Sequence, residues 1–367
     1  MSNAIAILGA GGFVGARFVE MGVAAGRSDI VPVVRSCRSL ARLSKFGLRP
    51  RWGDVSRIES IRQAIRGCGV VVNLTLGDYL QIEANTRNVY DACAAEQVRL
   101  LIHVSSAEVF GRVENSDVND DSEPDLRHWM SYARGKAKAE LVLRPKMSGA
   151  TFAIVVLRPG LVWGPGSAWT AEPVADLLNQ QAFLADGGMG ICNLIYIDNL
   201  IKAMKQVMLH PRPPSGFYNV ADRETITWAD YYRELARRLD VPFDQIPRLA
   251  SGDYVPSLTE RLQEWRQTNL IRRVEDAIPT RSMRVLKKQL RRVLQLTRNN
   301  SVGGSPKPRL SRSLWHLQHT RHKLPTTKFT EVFGNAQECT LMQAMDRTEA
   351  WLRFAGFTTP MLEEGNQ

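Results

Sequence analysis

Short apolar runs separated by amphipathic stretches occupy the first 165 residues of the chain. The runs that we predict as strands are residues 4–8, 30–34, 70–74, 100–104 and 152–157. Each run is too short for a buried helix and is bounded by Gly, Pro or polar residues. Their near-continuous apolarity indicates that helices cover both faces of a parallel sheet. The pattern therefore predicts an α/β fold, with a doubly wound parallel sheet in residues 1–165.

The apolar pattern becomes less regular after residue 165 and is typical of a smaller α+β region. The expected elements are strands at 193–197 and 216–220 and helices at 199–208 and 227–239. A last helix is expected at about 339–354, where apolar or small side chains recur at helical spacing, and should dock on the body. Residues 166–367 are therefore predicted to form the substrate-binding region.

The charge distribution singles out one segment of this region, a predicted insertion at about 245–323. The chain carries a net charge of +11, and residues 272–328 hold fifteen Lys or Arg against two acidic residues. A run rich in Asn, Ser and Gly at 299–306 predicts a flexible tip. An anionic partner would meet the chain here, but charge alone does not say which partner.

Residues 283–296, within the insertion, predict a basic amphipathic helix. Its polar face carries Arg284, Lys287, Lys288, Arg291 and Arg292. A surface helix packed on the substrate-binding region is the plainer interpretation, and weak contact with an anionic membrane surface is the alternative. Nucleic acid binding is least favoured, because no recognised nucleic-acid-binding module accompanies the charge.

Cysteine spacing and apolar run lengths exclude several classes of protein. The five cysteines are scattered without a CxxC spacing, so we predict neither a disulfide framework nor a zinc site. His316, His319 and His322 recur three apart, but without a nearby carboxylate pair they are expected to be structural or exposed, and no metal site is predicted. No apolar run approaches the roughly 18–20 residues of a spanning helix, and the N-terminus leaves no room for a signal peptide. We therefore expect a cytoplasmic protein, with peripheral membrane contact left open.

A glycine-rich loop directly follows the first predicted strand. Gly9, Gly12 and Gly15 permit a tight turn, close backbone approach to a pyrophosphate and close helix-strand contact. A glycine turn without a ligand is the plainer alternative, but the position of this loop after an N-terminal strand favours a dinucleotide site. The second strand ends in Arg35, with Arg38 close behind, where an NAD site has an acid. We therefore predict NADP as the cofactor, with NAD as the alternative if Arg35 is a surface residue or only stacks on adenine.

Tyr132 and Lys136 lie four residues apart on a predicted helix and therefore share one face. A tyrosine is a poor base at neutral pH, and an adjacent ammonium stabilises its phenolate. Such a pair is also common on solvated helices. Its position gives it weight, because it follows Ser105 and Ser106, which end the fourth predicted strand at the edge where ligands of such sheets bind.

The order of these motifs resembles the extended short-chain dehydrogenases/reductases, the NAD-dependent epimerase/dehydratase family. The shared motifs are GxxGxxG at 9–15, SSxxVxG at 105–111, YxxxK at 132–136 and LRPGLVWGP at 157–165. The resemblance covers most of the chain. It implies a Rossmann-type sheet, an NAD(P) cofactor and an enzyme that transfers a hydride.

The resemblance also implies individual roles. Tyr132 would be the acid/base, Lys136 would bind the nicotinamide ribose and lower the tyrosine pKa, and Ser106 would hydrogen-bond the reacting oxygen, with Ser105 the less favoured hydroxyl. The residues implied to contact the cofactor are Gly9, Gly12, Phe13, Val14, Gly15, Arg35, Asp54, Val55, Leu74, Thr75, Tyr132, Lys136 and Pro159. Family members often dimerise through the helices after the fourth and fifth strands, so a homodimer is implied as well.

Departures from the family pattern bear on the substrate. Cys192 stands where many sugar-nucleotide epimerases have an arginine for the substrate pyrophosphate, and Ile82 and Asn85 replace the usual Asn and Gly of the NxxGTxN segment. These changes weaken the case for a nucleotide sugar. We predict epimerisation of a nucleotide-linked or lipid-linked sugar, with the cofactor unchanged overall. The alternatives are an NADP-dependent reductase of a sterol- or flavonol-type ketone or alcohol, and a non-catalytic nucleotide-binding member of the fold.

Overall fold

The computed structural model describes residues 4–111, 118–250, 252–254 and 307–357. The strands are β1 (Ile5–Leu8), β2 (Ile30–Val34), β3 (Arg51–Trp52), β4 (Val70–Asn73), β5 (Leu100–Val104), β6 (Ala153–Pro159), β7 (Leu161–Trp163), β8 (Leu184–Ala185), β9 (Leu194–Tyr196), β10 (Gly216–Val220) and β11 (Arg248–Leu249). The helices are α1 (Phe13–Ala24), α2 (Cys37–Leu40), α3 (Ile58–Ile65), α4 (Ile82–Ala95), α5 (Ser131–Leu143), α6 (Ala168–Leu178), α7 (Ile197–Leu209), α8 (Trp228–Arg238), α9 (Arg312–Gln318), α10 (Thr327–Phe333) and α11 (Leu341–Phe354).

The centre of the fold is a seven-stranded parallel sheet in the order β10-β6-β5-β4-β1-β2-β3. The strand order reverses at β1, where Ile5 lies opposite Ile30 of β2 on one side and Val70 of β4 on the other. Ligands of doubly wound sheets bind outside the carboxyl ends of the strands at such a point. The predicted Rossmann-type fold is therefore confirmed, and the reversal locates the cofactor side of the molecule.

Both faces of the sheet are buried, which explains the near-continuous apolarity of its strands. Side chains alternate along β1, so that Ile5 and Ile7 enter one core cluster while Ala6 and Leu8 enter the other. Each of these four residues is at most 3% exposed. The helices on both faces thus exclude water from the sheet that carries the site.

The second half of the chain contributes one strand to the same sheet. β10 pairs with β6, with Tyr218 opposite Leu157. The Tyr218 ring packs edge-on against Phe333 of α10, with 4.9 Å between ring centroids. Two two-stranded sheets, β7 with β9 and β8 with β11, complete this region. The sheet therefore extends past residue 165, and the division into two domains stays a prediction.

Helix α11 docks on the cofactor side through a shared carboxylate. Asp198 of α7 is buried and accepts hydrogen bonds from Arg17 of α1 at 2.7 and 2.9 Å. Arg347 of α11 donates to the same carboxylate at 3.0 Å. One buried acid therefore joins three helices that are far apart in sequence.

The predicted insertion is described only near its two ends, and both ends pack on the body. At the first end β11 pairs with β8, and at the second end Arg309 forms an ion pair with Asp176 of α6 at 2.8 Å. The predicted amphipathic helix at 283–296 and the tip at 299–306 lie outside the described residues. Among the helices that are described, none is long and apolar enough to cross a bilayer.

Candidate active site

A tight glycine turn links β1 to α1 and leaves the helix N-terminus open. Gly9 has a φ of +83°, a conformation that L side chains rarely adopt. A Cβ on Gly15 would lie 2.4 Å from the Gly9 carbonyl oxygen, so a larger residue there would displace the turn. The helix begins at Phe13 after an extended Gly12, and its first turn carries no acidic side chain. The turn therefore fits a pyrophosphate held on backbone N–H groups.

The ends of β2 and β3 bring a cation and a carboxylate close together. Burial alone would raise the pKa of Asp54. The Asp54 carboxylate, however, accepts hydrogen bonds from the Ser56 backbone N–H and hydroxyl, and the positive charges of Arg35 and Arg57 lie nearby. Together these groups outweigh burial, so the pKa of Asp54 lies below its usual value. Arg35 itself is exposed. Asp54 is therefore an anion already held by Ser56, while the guanidinium at the end of β2 faces solvent on the cofactor side.

β4 ends in a buried polar cluster beside the switch point. The Asn73 side-chain oxygen accepts hydrogen bonds from the Thr75 backbone N–H at 3.2 Å and from its hydroxyl at 2.6 Å. The Asn73 amide nitrogen therefore donates to Nδ1 of His103 on β5, at 3.1 Å. Burial and the Lys136 charge lower the pKa of His103 to about 3, so the ring is neutral and carries its proton on Nε2. That nitrogen is buried and has no hydrogen-bond partner among the described residues.

Tyr132 and Ser106 meet at the carboxyl end of β5. The Ser106 hydroxyl accepts from the Glu108 backbone N–H at 3.2 Å and caps the turn Ala107–Phe110. The Tyr132 side chain, in the first turn of α5, lies near the Ser106 hydroxyl, and Tyr79 packs edge-on against its ring. Burial raises the pKa of Tyr132, and the nearby Ser106 hydroxyl only partly offsets this, so the pKa lies above its usual value. At neutral pH the phenol is therefore a proton donor.

Lys136 is buried one helical turn after Tyr132. Its Nζ donates to the Val104 carbonyl oxygen at 2.7 Å, which holds the amine against the end of β5. Burial lowers the pKa of Lys136 to about 8, and the Glu140 carboxylate opposes that decrease. An ammonium on the same helix face as Tyr132 favours the phenolate over the phenol. Tyr132 and Lys136 therefore share one helix face, with Lys136 held at the end of β5, and their role in proton transfer stays a prediction.

A cavity of about 640 Å³ opens beside Ser106. Its near wall includes residues 106–108, 110–111, 125 and 127–129 and the end of β6 at Pro159. The volume is within the range of small-molecule sites. The basic and imidazole side chains that line it are Arg127, His128, Arg312, His316, His319, Arg321, His322 and Lys323, and the acidic ones are Glu108, Asp125 and Asp186.

The far wall of the cavity belongs to residues 307–325, which we call the strap. Gln318 at the end of α9 is fully buried, accepts from the Ala185 backbone N–H at 2.7 Å and donates to the Phe183 carbonyl at 3.1 Å. A Cβ on Gly190 would lie 1.8 Å from the Gln318 carbonyl oxygen, so the two backbones are in close contact. The Gln318 contacts thus hold the strap against the body, and they place Arg312, Arg321 and Lys323 at the cavity.

Charged groups of the strap pair with the body at the cavity. Asp186 accepts from Arg321 at 3.2 Å and lies 3.3 Å from Nε2 of His319. Nδ1 of His319 lies 2.7 Å from the Trp315 carbonyl oxygen, so both ring nitrogens face oxygen atoms. Within the described ranges, no group of three or more His, Cys, Asp or Glu side chains is arranged to hold a metal ion.

The family model described as the 3-beta hydroxysteroid dehydrogenase/isomerase family matches residues 6–249 of the chain. The chain belongs to this family. The match runs from β1 to β11 and includes both the glycine turn and the Tyr132/Lys136 pair. The prediction of an extended short-chain dehydrogenase/reductase, of the epimerase/dehydratase type, is confirmed.

Two curated proteins that resemble this chain, a reductase and an epimerase, differ in activity. The chain is 27% identical over 255 residues to 2-alkyl-3-oxoalkanoate reductase of Shewanella oneidensis, covering 61% of this chain and 62% of that protein. The aligned part therefore spans less than two thirds of the reductase. The chain is 25% identical over 265 residues to UDP-glucose 4-epimerase of Vibrio cholerae, covering 67% of this chain and 79% of the epimerase.

Solved structures share the fold over nearly the whole chain. The dTDP-glucose 4,6-dehydratase DesIV of Streptomyces venezuelae, solved with NAD bound, has a TM-score of 0.67 at 16% identity, covering 97% of this chain and 99% of that one. At this level of identity the likeness shows the fold alone. It agrees with the Rossmann-type parallel sheet of this chain.

The fold gathers the predicted site residues of this family member along one edge of the sheet. The glycine turn follows β1, and half-buried Phe13 and Val14 begin α1 directly after it. Asp54 and half-buried Val55 follow β3, and Leu74 and Thr75 follow β4. Ser106 follows β5, and Pro159 ends β6. Tyr132 and Lys136 reach this edge from α5. Arg35 lies apart from the Tyr132 end, at the exposed end of β2. Their individual binding roles stay predictions.

The fold adds residues to the site that the sequence reasoning missed. They are the Asn73–His103 pair, the buried Glu140–Arg158 ion pair and the strap. Glu140 does give a sequence signal, because it lies eight residues after Tyr132 on the same helix face. The strap gives none, because Gln318 meets Ala185 across 133 positions of sequence.

Proposed function

We propose that this protein is an NAD(P)-dependent oxidoreductase of the epimerase/dehydratase type, acting on a hydroxyl-bearing carbon of a sugar with Tyr132 as the acid/base. The observation that carries the proposal is the placement of Tyr132 beside Ser106, which lines the cavity, with Lys136 buried one turn away. A tyrosine, a hydroxyl and an ammonium arranged in this way serve proton transfer at a carbinol or carbonyl oxygen. The glycine turn and the open N-terminus of α1 fit the dinucleotide.

The chain's own residues account for the proton transfer. A bound nicotinamide dinucleotide supplies or accepts the hydride. In reduction, the Tyr132 phenol donates its proton to the carbonyl oxygen, and Ser106 holds that oxygen by a hydrogen bond. In oxidation, Tyr132 must first be the phenolate, which the Lys136 ammonium stabilises. Lys136 is buried and Tyr132 is half-buried, and limited access of water strengthens this interaction.

The cavity wall supports a substrate that carries a negative charge. Arg127, Arg312, Arg321 and Lys323 line it together with four histidines, against three carboxylates. Cys192, which stands in place of the family's arginine, is buried, and three of the four Arg or Lys side chains of the wall come from the strap instead. A sugar linked to a nucleotide or a lipid through phosphate groups has the charge that this wall fits, and the epimerase relative acts on such a sugar.

The test uses the purified protein with NADPH or NADH and a panel of nucleotide-linked and lipid-linked sugars, with products identified by mass spectrometry and NMR. Tyr132→Phe is expected to lower turnover by roughly 10²- to 10⁴-fold, because it removes the proton-transfer group and little else. Tyr79→Phe is the matched control, since it also removes one hydroxyl from the same ring pair, and is expected to keep most of the activity. Turnover by Tyr132→Phe above a tenth of the wild-type rate would falsify the assignment.

A second candidate, an NADP-dependent reductase of a non-sugar ketone, is favoured by the likeness to 2-alkyl-3-oxoalkanoate reductase. The two functions differ in net redox change. An epimerase returns the cofactor unchanged, whereas a reductase consumes NADPH in proportion to product. Steady loss of NADPH absorbance with a 3-oxoacid, and none with the sugars, would decide for the reductase.

We further propose a cytoplasmic homodimer with weak contact to anionic membranes, supported by the family resemblance and by the basic composition of 283–296. Light scattering tests the dimer. Liposome sedimentation at low and moderate salt tests the contact, which is expected to vanish when Lys287, Lys288, Arg291 and Arg292 are replaced by glutamine. Absence of sedimentation at low ionic strength would remove the membrane proposal.

A further inference from the structure

A fully buried ion pair lies directly beneath the Tyr132/Lys136 pair. Glu140 is the residue one turn after Lys136 on α5, and Arg158 lies on β6. Arg158 donates to Glu140 at 2.6 Å through Nη2 and at 3.0 and 3.1 Å through Nε, so the contact is bidentate. Both side chains are 0% exposed. Two charges buried this deeply require close partners, because breaking such a pair is strongly destabilising.

The pair is joined to the segments that carry the site. The Ser105 hydroxyl donates to Glu140 at 2.6 Å, so the residue before Ser106 is committed to this carboxylate. Arg158 also donates to the Asp120 carbonyl oxygen at 2.8 Å. Its guanidinium lies 4.7 Å from the ring centroid of Phe110, which lines the cavity. The ion pair therefore links β5, α5, β6 and the near wall of the cavity.

The charges around Lys136 give Glu140 a second effect. The titratable groups on the surrounding elements are Tyr132 and Glu140 on α5, His103 on β5, Arg158 on β6 and Tyr79 on the turn Tyr79–Gln81. His103 is neutral, and its burial and the lysine charge keep it so. Burial favours the uncharged amine of Lys136, whereas the Glu140 carboxylate favours the ammonium. Loss of the carboxylate would therefore let Lys136 release its proton closer to neutral pH.

We propose that Glu140 is a positioning residue for the Tyr132/Lys136 pair: it holds Lys136 as a charged ammonium against the end of β5, and through Arg158 and Ser105 it fixes the strand ends around Tyr132. This inference rests on the proposed function, in which the ammonium serves both the cofactor ribose and the phenolate. Ser105 accordingly acts on Glu140 and not on the reacting oxygen.

The test measures the dissociation constant of NADPH by fluorescence titration between about pH 7 and pH 9.5, and needs no substrate. In the wild type the constant is expected to rise above about pH 8, where Lys136 loses its proton. In Glu140→Gln the rise is expected about one pH unit lower, so that binding at about pH 8 is roughly five-fold weaker than in the wild type. Glu140→Asp restores the charge and is expected to recover most of the wild-type profile. Ser105→Ala removes a hydrogen bond but no charge, so its profile is expected to match the wild type.

Lys136→Ala separates failure of this inference from failure of the proposed function. If Lys136→Ala has a flat profile and Glu140→Gln keeps the wild-type profile, the role of Glu140 is overturned and that of Lys136 stands. If Lys136→Ala retains the wild-type rise, the ammonium does not govern binding, and both assignments are overturned. A rise displaced in Glu140→Gln and recovered in Glu140→Asp supports the proposal, because a merely structural residue would change stability without displacing the profile.

A second variant covers poor folding of Glu140→Gln, which leaves Arg158 buried without its carboxylate. The double variant Glu140→Gln/Arg158→Gln removes both charges and retains amide hydrogen bonding. Because the double variant also removes the positive charge of Arg158, which disfavours the ammonium, its rise is expected at a pH between those of Glu140→Gln and the wild type. An unchanged rise in a folded double variant overturns the proposal as well.

Discussion

The cofactor side and the strap are assembled in opposite ways. On the cofactor side, Gly9, Thr75 and Ser106 each lie within two residues of the end of a strand. The strap instead reaches the cavity through Gln318, whose partner Ala185 is 133 positions away. Parallel strands bring their carboxyl ends to one edge by topology alone, whereas the strap depends on individual tertiary hydrogen bonds. The residues proposed to bind the cofactor are thus specified locally, whereas the cavity wall proposed to meet the substrate is specified by docking of the strap.

The largest effect is expected from Gly15→Val on the cofactor side. The added Cβ meets the Gly9 carbonyl oxygen, so the turn must move and NADPH binding is expected to weaken by roughly a hundred-fold or more, about 3 kcal/mol. Fluorescence titration measures the change, with circular dichroism as a check on folding. Gly26→Ala is the control, because open space surrounds that glycine and only its φ of +70° is strained. A Gly15→Val protein that folds and binds NADPH normally would remove the distinction between the two regions.

Acid is expected to weaken the cofactor side through His103. Its pKa falls from 6.5 in the unfolded chain to about 3 in the fold, so its contribution to stability is complete above pH 6.5 and declines as the pH falls towards 3. The free energy of unfolding should drop by about 2 kcal/mol between pH 6.5 and about pH 4.5 from this group alone. His103→Gln should flatten that part of the pH profile of urea denaturation. Gln318→Leu, which alters the strap and keeps His103, should retain it; equal slopes in wild type and His103→Gln would contradict the prediction.

Loss of the Gln318 hydrogen bonds that hold the strap is expected to lower the stability of the protein without lowering its affinity for NADPH. Gln318→Leu leaves the Ala185 N–H and the Phe183 carbonyl without their partner, which costs about 2 kcal/mol of unfolding free energy. NADPH affinity should remain within about two-fold of the wild type, because no contact of the glycine turn changes. Thermal melting and NADPH titration of the same sample measure both quantities. A joint loss of stability and NADPH affinity would show that the regions are not independent.

The smallest effect is expected from Arg35→Ala. Removing an exposed guanidinium should weaken NADPH by about ten-fold and leave NADH unchanged, because only NADPH carries a 2′-phosphate. Salt should reduce the difference in the wild type. Arg38→Ala, on the neighbouring α2, is the control and is expected to have a smaller effect. Equal NADPH and NADH constants in the wild type, unaltered by Arg35→Ala, would restrict Arg35 to stacking.

The sequence predicted the strands and the motif residues of the cofactor side, but it did not predict the contacts that depend on tertiary packing. The strands at 30–34, 100–104 and 216–220 have the predicted bounds, because double burial leaves a continuous apolar signal. Ser106, Tyr132 and Lys136 converge as the motif spacing predicts. The pairing of Asn73 with His103, and of Glu140 with Arg158, was not predicted, since each joins neighbouring strands or a helix to a strand and leaves no period in the sequence. His316, His319 and His322 recur three residues apart in the sequence, but the groups that surround them depend on how the strap docks on the body.

Asp198 is expected to make cofactor binding and the docking of α11 thermodynamically interdependent. The helix proposed to receive the pyrophosphate, α1, and the helix nearest the C-terminal end of the described chain, α11, both donate to this one carboxylate. Whatever orders α1 therefore also favours the docked state of α11, and the coupling is reciprocal. Backbone amides of α11 should exchange with deuterium more slowly when NADPH is present, although no part of that helix lines the cavity described beside Ser106. Slow exchange in α11 would thus report occupancy of a site at the opposite end of the sequence.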